Sequence, residues 1–542
     1  MTDTDEDLAA HLSATATDGQ ARAMALAAAR HAGRDPAGIV TYQSAGRLLV
    51  IGSAAAIRDA TAALAGHAGL SCTGLLLDDA GEAPVVTGYL GHFEVQLAGG
   101  ELQCHDLVLD LGNPPLLDVE LLPPGYFAPC GDPQALQAAL EELPGLTGEF
   151  EKPQYFHYNA AICAHGRSGM TACTRCIDSC PTAAIRSLGD SIEVNANLCQ
   201  GAGSCATACP TGAISYGYPR LSDTLRRMQL LLQGYREAGG SDAVLLFHDA
   251  DAGRAAVRRL AAQLPERVIP VELEELGSVG MDGWLAALAC GAASVVLLVT
   301  PSLPASVLRA LTLQSEVAGQ ILAGMGYPAT ALQLCQAQDA GLAELLGAAP
   351  GTAGRPFASF AALDEKRTVI RLAVEHLHAQ APRPRPLVSL PAGAPFGEVL
   401  LDSTRCTLCM ACVSQCPGRA LEAGDDRPQL IFIEANCVQC GLCCRTCPED
   451  AIAATPRYLY DSQQRNRRRV LNEEEPFLCV SCGKPFATRR MIDRITAQMR
   501  GHAMFQGAAL ERLRMCEDCR VKAMFSDEGT GHNKPVSPGG WS

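Results

Sequence analysis

Between Cys406 and Pro448 the chain reads CTLCMACVSQCP, then a spacer ending in IFIEAN, then CVQCGLCCRTCP. Each half is C-x2-C-x2-C-x3-C-P, the spacing with which a short loop and the helix after it wrap a [4Fe–4S] cube. Three closely spaced thiolates reach three corners of one cube only if the chain turns tightly between them. The fourth cysteine, at the start of the helix, points toward the neighbouring cube, and the proline after it steers the chain away. The crossed assignment gives one cluster to Cys406, Cys409, Cys412 and Cys447. A second cluster falls to Cys437, Cys440, Cys443 and Cys416.

The same unit occurs earlier in the chain. From Tyr155 it reads CAHGRSGMTACTRCIDSCPTAAI and then CQGAGSCATACPTGAI. The Cys-Pro pairs lie 29 residues apart in this copy and 31 in the later one, and SIEVNANLC matches LIFIEANC. A whole two-cluster unit has been duplicated. The first copy departs from the pattern twice. Met170 occupies the place of the first cysteine, and Cys163 lies seven residues upstream behind an AHGRSG insertion. A glycine-rich insertion can loop out and return a thiolate, so Cys163, Cys173, Cys176 and Cys209 form a complete [4Fe–4S] set, with His165 as an alternative at the first corner. In the second half Ala202 stands where a ligand belongs, which leaves Cys199, Cys205 and, from the first half, Cys180. Three thiolates suit a [3Fe–4S] cluster, or a labile [4Fe–4S] cube whose fourth iron takes water or an outside ligand. An unfilled, degenerate site is the remaining alternative.

Two CxxC knuckles follow, in PFLCVSCGKPF and CEDCRV. Cys479, Cys482, Cys516 and Cys519 supply four thiolates that close a tetrahedral shell, the chemistry of a structural zinc site. A rubredoxin-type iron is the alternative. The segment between the knuckles reads as helix. Seven cysteines thus belong to the first unit, eight to the second and four to the knuckles, so six of the 25 stay unassigned. One of these, Cys444, lies inside the last motif as a small packing residue or an exchangeable ligand.

Such cysteine usage signals metal ligation in a reducing compartment rather than a disulfide framework. The acidic, polar start MTDTDEDLAAHLSATATDGQ has neither the basic nor the apolar region of a signal peptide, and no apolar run reaches the length of a membrane span. A soluble, cytoplasmic protein is expected. The net charge of −15 argues against a nucleic-acid partner. Residues 457–522 nevertheless hold 14 Lys and Arg against 8 Asp and Glu, a local basic face suited to docking or to balancing anionic clusters.

The 542 residues divide by pattern into several domains. Residues 1–35 predict one amphipathic helix. RLLVIGS, AAAIRDATAALAGHAG and GLLLDD then predict strand, helix and strand, within an α/β scaffold domain spanning 1–150. Gly52 follows the first strand, but Ala54 and Ile57 replace the glycines that let a pyrophosphate approach, so neither flavin nor nicotinamide is expected. Cys72, Cys104 and Cys130 are expected to be ordinary thiols. The degenerate cluster unit spans 151–220. Residues 221–380 alternate short apolar strands (AVLLFH, VIPVEL, SVVLLV) with amphipathic helices, which implies a parallel sheet covered on both faces. Two more helices are expected near 305–324 and 361–379. Cys290 and Cys335 fall on apolar faces there. A proline-rich linker at 381–396 should act as a semi-rigid spacer before the intact unit at 397–460. The four-cysteine domain covers 461–526, and 527–542 reads as a disordered tail. The fold class is multidomain α/β and α+β: two ferredoxin-like dicluster modules, two α/β domains of Rossmann- or flavodoxin-like type, and a zinc-ribbon-like domain.

Polyferredoxin modules around PVELEELGSVGMDGWLAALACGAASVVLL resemble the methyl-viologen-reducing hydrogenase delta-subunit family and its heterodisulfide-reductase relatives. That resemblance covers 240–345. It implies a further cluster, for which only Cys290 is at hand. The whole chain is also similar to large ferredoxin-like proteins that accompany bacterial formate dehydrogenases. A redox enzyme of hydrogenase or formate dehydrogenase type is then the implied partner. With no phosphate loop, triad or paired carboxylate, the sequence fits an electron carrier better than a stand-alone enzyme. An oxidoreductase subunit with a flavin or partner-supplied active site is one alternative, and an assembly or docking factor is another.

Overall fold

A computed structural model describes residues 12, 17–30, 32–33, 35–77, 83–97, 99–338, 342–347, 356–425 and 427–527. The expected tail beyond 527 and most of the expected loose start therefore lie outside the described residues. The chain divides into two compact units, Met1–Ala394 with Arg457–Tyr460, and Pro395–Pro456 with Asp461–Ser542.

In the first unit the run RLLVIG becomes a central strand, Arg47–Gly52, with parallel neighbours at Ser71–Leu76 and Leu107–Asp110. Its uninterrupted apolar character follows from burial on both faces. Leu48 and Val50 pack with Ala60 and Leu64 of the helix Ala54–Leu64. Leu49 and Ile51 face the other way, onto Val86, Phe93 and Val95 of a three-stranded antiparallel sheet. Ser53 caps the helix by accepting from the Ala56 amide at 3.3 Å.

A second parallel sheet runs in the order Val268–Glu272, Val244–His248, Ser294–Val299, Leu332–Gln336. The chain steps from Val244–His248 out to Val268–Glu272, then back across it to Ser294–Val299 and on to Leu332–Gln336, and right-handed crossovers in opposite directions put the intervening helices on opposite faces. Accordingly Val244 and Leu246 pack with Ala256 and Val257 of Ala252–Leu260. The helix Ala305–Gly324 has the expected bounds, and the last long helix is Lys366–Ala379.

The amphipathic helix expected in 1–35 is Thr17–Ala29, but it serves this second sheet rather than the sheet that follows it in sequence. Ala25 and Ala28 lie against Gly234 of the helix Leu221–Glu237. Arg22 is buried and donates to the carbonyls of Pro265 and Val268 at 3.2 and 3.0 Å. Tyr235 donates its hydroxyl proton to Asp18 at 2.8 Å. An alanine face carries no label for its partner, so the assignment of this helix to a 1–150 domain follows chain order and misses the packing.

Between the two sheets in sequence lies the segment 156–216. It is built from two short antiparallel ladders, Phe156–Tyr158 with Ile214–Tyr216 and Ile185–Leu188 with Ser191–Val194. The stretch expected as a linker contributes the strand Leu387–Ser389, which pairs with Arg457–Leu459 in this unit.

The second unit has matching ladders. Gly397–Leu401 pairs with 452–456, and Leu421–Ala423, Gln429–Phe432 and Arg469–Glu473 form a three-stranded sheet. A hairpin of Pro476–Leu478 and Pro485–Thr488 follows, then the helices Arg489–Met499, Ala508–Arg512 and Glu517–Asp527. No helix among the described residues is long and apolar enough to cross a membrane.

Candidate metal centres

The eight motif cysteines of the second unit line two separate cavities, and the division follows the crossed pattern. Cys406, Cys409, Cys412 and Cys447 line one, with Leu430 and Ile452. Cys416, Cys437, Cys440 and Cys443 line the other, with Gly418 and Ala454. Burial, then the neighbouring thiols Cys406, Cys409 and Cys447, pushes the Cys412 thiol up to about 12. Burial likewise pushes Cys437 up to about 11. Crowded, desolvated thiols resist ionisation unless a cation is shared among them. The donor set fits the clusters its spacing implies.

The first unit gathers its cysteines in the same way. Cys176 is pushed up to about 12 by burial and then by Cys209, Cys173 and Cys163. Cys205 is raised well above its ordinary value by burial, then by Cys199 and Cys180. Both fourth cysteines thus sit beside the set expected from the crossed pattern.

The backbone repeats as well. Three residues beyond each Cys-Pro cysteine the chain turns through positive φ: Ala183 (51°), Gly212 (77°), Arg419 (50°) and Asp450 (44°). Within the loops, Leu408 (55°) and Met410 (61°) match Gln439 (53°) and Gly441 (79°), and both match Gly201 (81°) and Gly203 (76°). Non-glycine residues in this region are strained by about 1–3 kcal/mol each, which persists where a function holds them. Ala202 lies between Gly201 and Gly203, so this loop follows the same path as the two loops that carry a cysteine at that place. Sequence patterning gave no sign that Leu408, Met410 and Gln439 would adopt this geometry.

Hydrogen bonds to sulfur differ between the copies. In CPT the threonine hydroxyl reaches back to sulfur, Thr182 to Cys180 at 3.4 Å and Thr211 to Cys209 at 3.5 Å. In the second unit backbone amides do this, Ala420 to Cys416 at 3.1 Å and Ala451 to Cys447 at 3.3 Å. Such bonds favour thiolate and tune any cluster it holds.

The AHGRSG insertion folds as a hairpin, Gly166–Arg167 against Met170–Thr171, turning through Ser168 and Gly169. His165 is buried with both ring nitrogens occupied, at 2.7 Å from the Cys173 carbonyl and 2.7 Å from the Ser187 hydroxyl. It braces the hairpin, and Cys163 is the residue beside the other three thiols. Ser204, the nearest hydroxyl to the Ala202 gap in sequence, donates to the Ser179 carbonyl at 2.6 Å.

The two knuckles converge. The ligand atoms of Cys479, Cys482, Cys516 and Cys519 all lie within 4.8 Å of one another. The first knuckle is the turn of the hairpin, and the second opens the helix Glu517–Asp527. Burial raises the Cys479 thiol, but amides of Cys516, Cys482 and Ser481 outweigh it and pull the group down to about 6. A thiolate preformed in this way suits a metal ion of either candidate kind.

The unassigned cysteines are scattered. Cys104 and Cys130 are exposed, Cys72 is half-buried, and Cys335 is buried in a strand. Cys290 is buried beside Gln229. Cys444 adjoins Cys443, whose hydrogen bond pulls the Cys444 thiol down to about 7.

Residues 399–422 match the 4Fe-4S binding domain family. The match takes in Cys406, Cys409, Cys412 and Cys416. The chain matches no curated protein. This match supports an iron–sulfur, ferredoxin-like protein with an electron-transfer role.

Proposed function

We propose that the chain is a polyferredoxin that relays electrons between a redox enzyme and an acceptor, as a subunit of a larger complex. Its dicluster modules would be 151–220 and 397–460, with scaffold domains at 1–150 and 221–380 and a four-cysteine domain at 461–526. Cys406, Cys409, Cys412 and Cys447 would hold one [4Fe–4S] cluster, and Cys437, Cys440, Cys443 and Cys416 another. Cys163, Cys173, Cys176 and Cys209 would hold a third. Cys180, Cys199 and Cys205 would hold a three-iron cluster or a labile cube, and the knuckles a zinc. Each cluster supplies a one-electron store, with its potential set by charge and hydrogen bonding.

The observation that carries this reading is the pair of cavities in the second unit, each lined by one crossed set of cysteines. The chain's own part is to hold thiolates in apolar pockets and donate hydrogen bonds to them, so that charge moves with little rearrangement. A hydrogenase- or formate dehydrogenase-like enzyme is the partner proposed. Anaerobic stopped-flow mixing of the chemically reduced protein with a one-electron dye tests the proposal. Rapid oxidation of all clusters, with no bound flavin in the purified protein, is expected. Tightly bound flavin, or clusters that do not discharge, would favour the oxidoreductase-subunit alternative.

A further inference from the structure

Lys152 lies on the strand Gly148–Pro153, outside the cysteine motifs, yet its ammonium ends at one of them. It donates to the carbonyl of Asn197 at 2.9 Å and to that of Cys199 at 2.6 Å. The Tyr42 ring stacks under it, 4.9 Å away, and the Tyr42 hydroxyl donates to the same Asn197 carbonyl at 2.6 Å. No carboxylate pairs with it among the described residues; its contacts are carbonyls and an aromatic face. Lys152 is half-buried, and a partly desolvated cation without a carboxylate is stabilised by an anion beside it. The anion that acts on Lys152 itself is the Cys199 thiolate, while the carboxylates Glu274 and Glu275 act on the neighbouring Tyr155 and Tyr216.

Cations also stand near the other cysteine set of the first unit, where Arg175 opposes the rise of the Cys173 thiol and Lys366 has Cys209 among its charged neighbours. Lys366 is buried and donates to the carbonyls of Ala206 and Thr207 at 2.9 and 2.5 Å, but it shares its site with the buried carboxylate Asp282. Residues 395–456 contain no lysine, and every arginine there is exposed. Arg465 is buried against 434–436, where Glu434 is buried too.

We infer that Lys152 is the counter-charge of the three-thiolate centre at Cys180, Cys199 and Cys205, and that it holds this centre at a higher reduction potential than the charge alone of its ligands would give. The inference rests on the cluster reading proposed above. Reduction adds one electron to the centre from an external reductant, with no bond made or broken in the protein. A fixed positive charge stabilises the more negative, reduced state. Electrons entering the chain would accordingly collect at this centre.

The test uses the full-length, anaerobically purified protein and a potentiometric titration followed by electron paramagnetic resonance. Lys152→Gln keeps a hydrogen-bond donor and removes the charge; Lys152→Arg keeps the charge. In the Gln variant the reduction equilibrium constant of this centre should fall about tenfold, or about 59 mV for one electron. The Arg variant should titrate with the wild type, and Lys484→Gln, which removes an exposed cation paired with Asp518 at the knuckles, should leave this centre unmoved. A Gln variant at the wild-type potential overturns the inference, as does an Arg variant that shifts as far. If Gln loses the cluster while Arg retains it, the need for a cation is upheld; loss in both overturns it. Iron analysis of the wild type is read separately: no iron at this centre would sink the functional reading itself.

Discussion

Gly203 follows the Ala202 gap, at φ +76°, where its backbone meets the loop at Gly277 and Ser278. A Cβ there would lie 2.8 Å from the Gly277 carbonyl carbon and closer still to Ser278. From the other side, a Cβ on Gly277 would lie 2.9 Å from Val307 and closer to the Ala202 carbonyl. Both obstructions are largely backbone and cannot swing aside. Gly203→Ala therefore combines left-handed strain of about 1–2 kcal/mol with overpacking of about 1–3 kcal/mol. Gly277→Ala carries the overpacking alone. Gly189→Ala supplies the strain alone, since it has φ +76° with nothing within 4 Å of the added Cβ. The corresponding glycine of the second module, Gly441, is equally open at φ +79°. Urea unfolding of the three variants can be followed by the fluorescence of Trp284, which is fully buried in the first unit, in a Trp541→Phe background. Gly203→Ala should lose at least about 1 kcal/mol more than Gly189→Ala. Equal losses would mean that the Ala202 loop does not seat on 277–278, and the account of a closed, three-thiolate loop would fail.

Ala202→Cys should restore the complete motif, raise the iron content by about one atom per chain and remove a near-isotropic signal just above g of about 2 that the air-oxidised wild type should show. A wild type without that signal points to a stable fourth cube. The knuckle site should retain about one zinc and no visible charge-transfer band after expression with both metals; a red protein would identify iron instead. Glu275 is raised to about 7, first by burial and then by Asp249, Asp251 and Glu274. Because its folded value lies above its unfolded one, it favours the fold below about pH 4.5, and that contribution fades as pH rises through about 7. The span is at most about 3 kcal/mol. Glu275→Gln should flatten the fall in Trp284-monitored stability between pH 5 and pH 8, and an unchanged slope would assign that fall to other groups.

The division of the 406–447 cysteines between two cavities was legible because ligand spacing leaves few ways to reach the corners of a cube. Strand runs such as RLLVIG and SVVLLV were legible because burial on both faces leaves an unbroken apolar signature. The helix Thr17–Ala29 shows where sequence runs out: its alanines announce a close partner, while Gly234, more than two hundred residues away, is visible only once folded. Positive φ at Leu408, Met410 and Gln439 is set by the loop that holds them rather than by their own preferences. Lys152 was hidden for a similar reason. Nothing in GEFEKP says that one side chain will end on the Cys199 carbonyl.

The central claim is that one chain carries four iron–sulfur centres, three complete and one short of a ligand. Iron, acid-labile sulfide and zinc determined together on the anaerobically purified, full-length protein test it most directly. Three cubes and one three-iron cluster predict about fifteen irons per chain, beside one zinc. About eight irons would mean that only the second unit is loaded, and the first would then be a scaffold that has kept the loops of a cluster protein without its clusters.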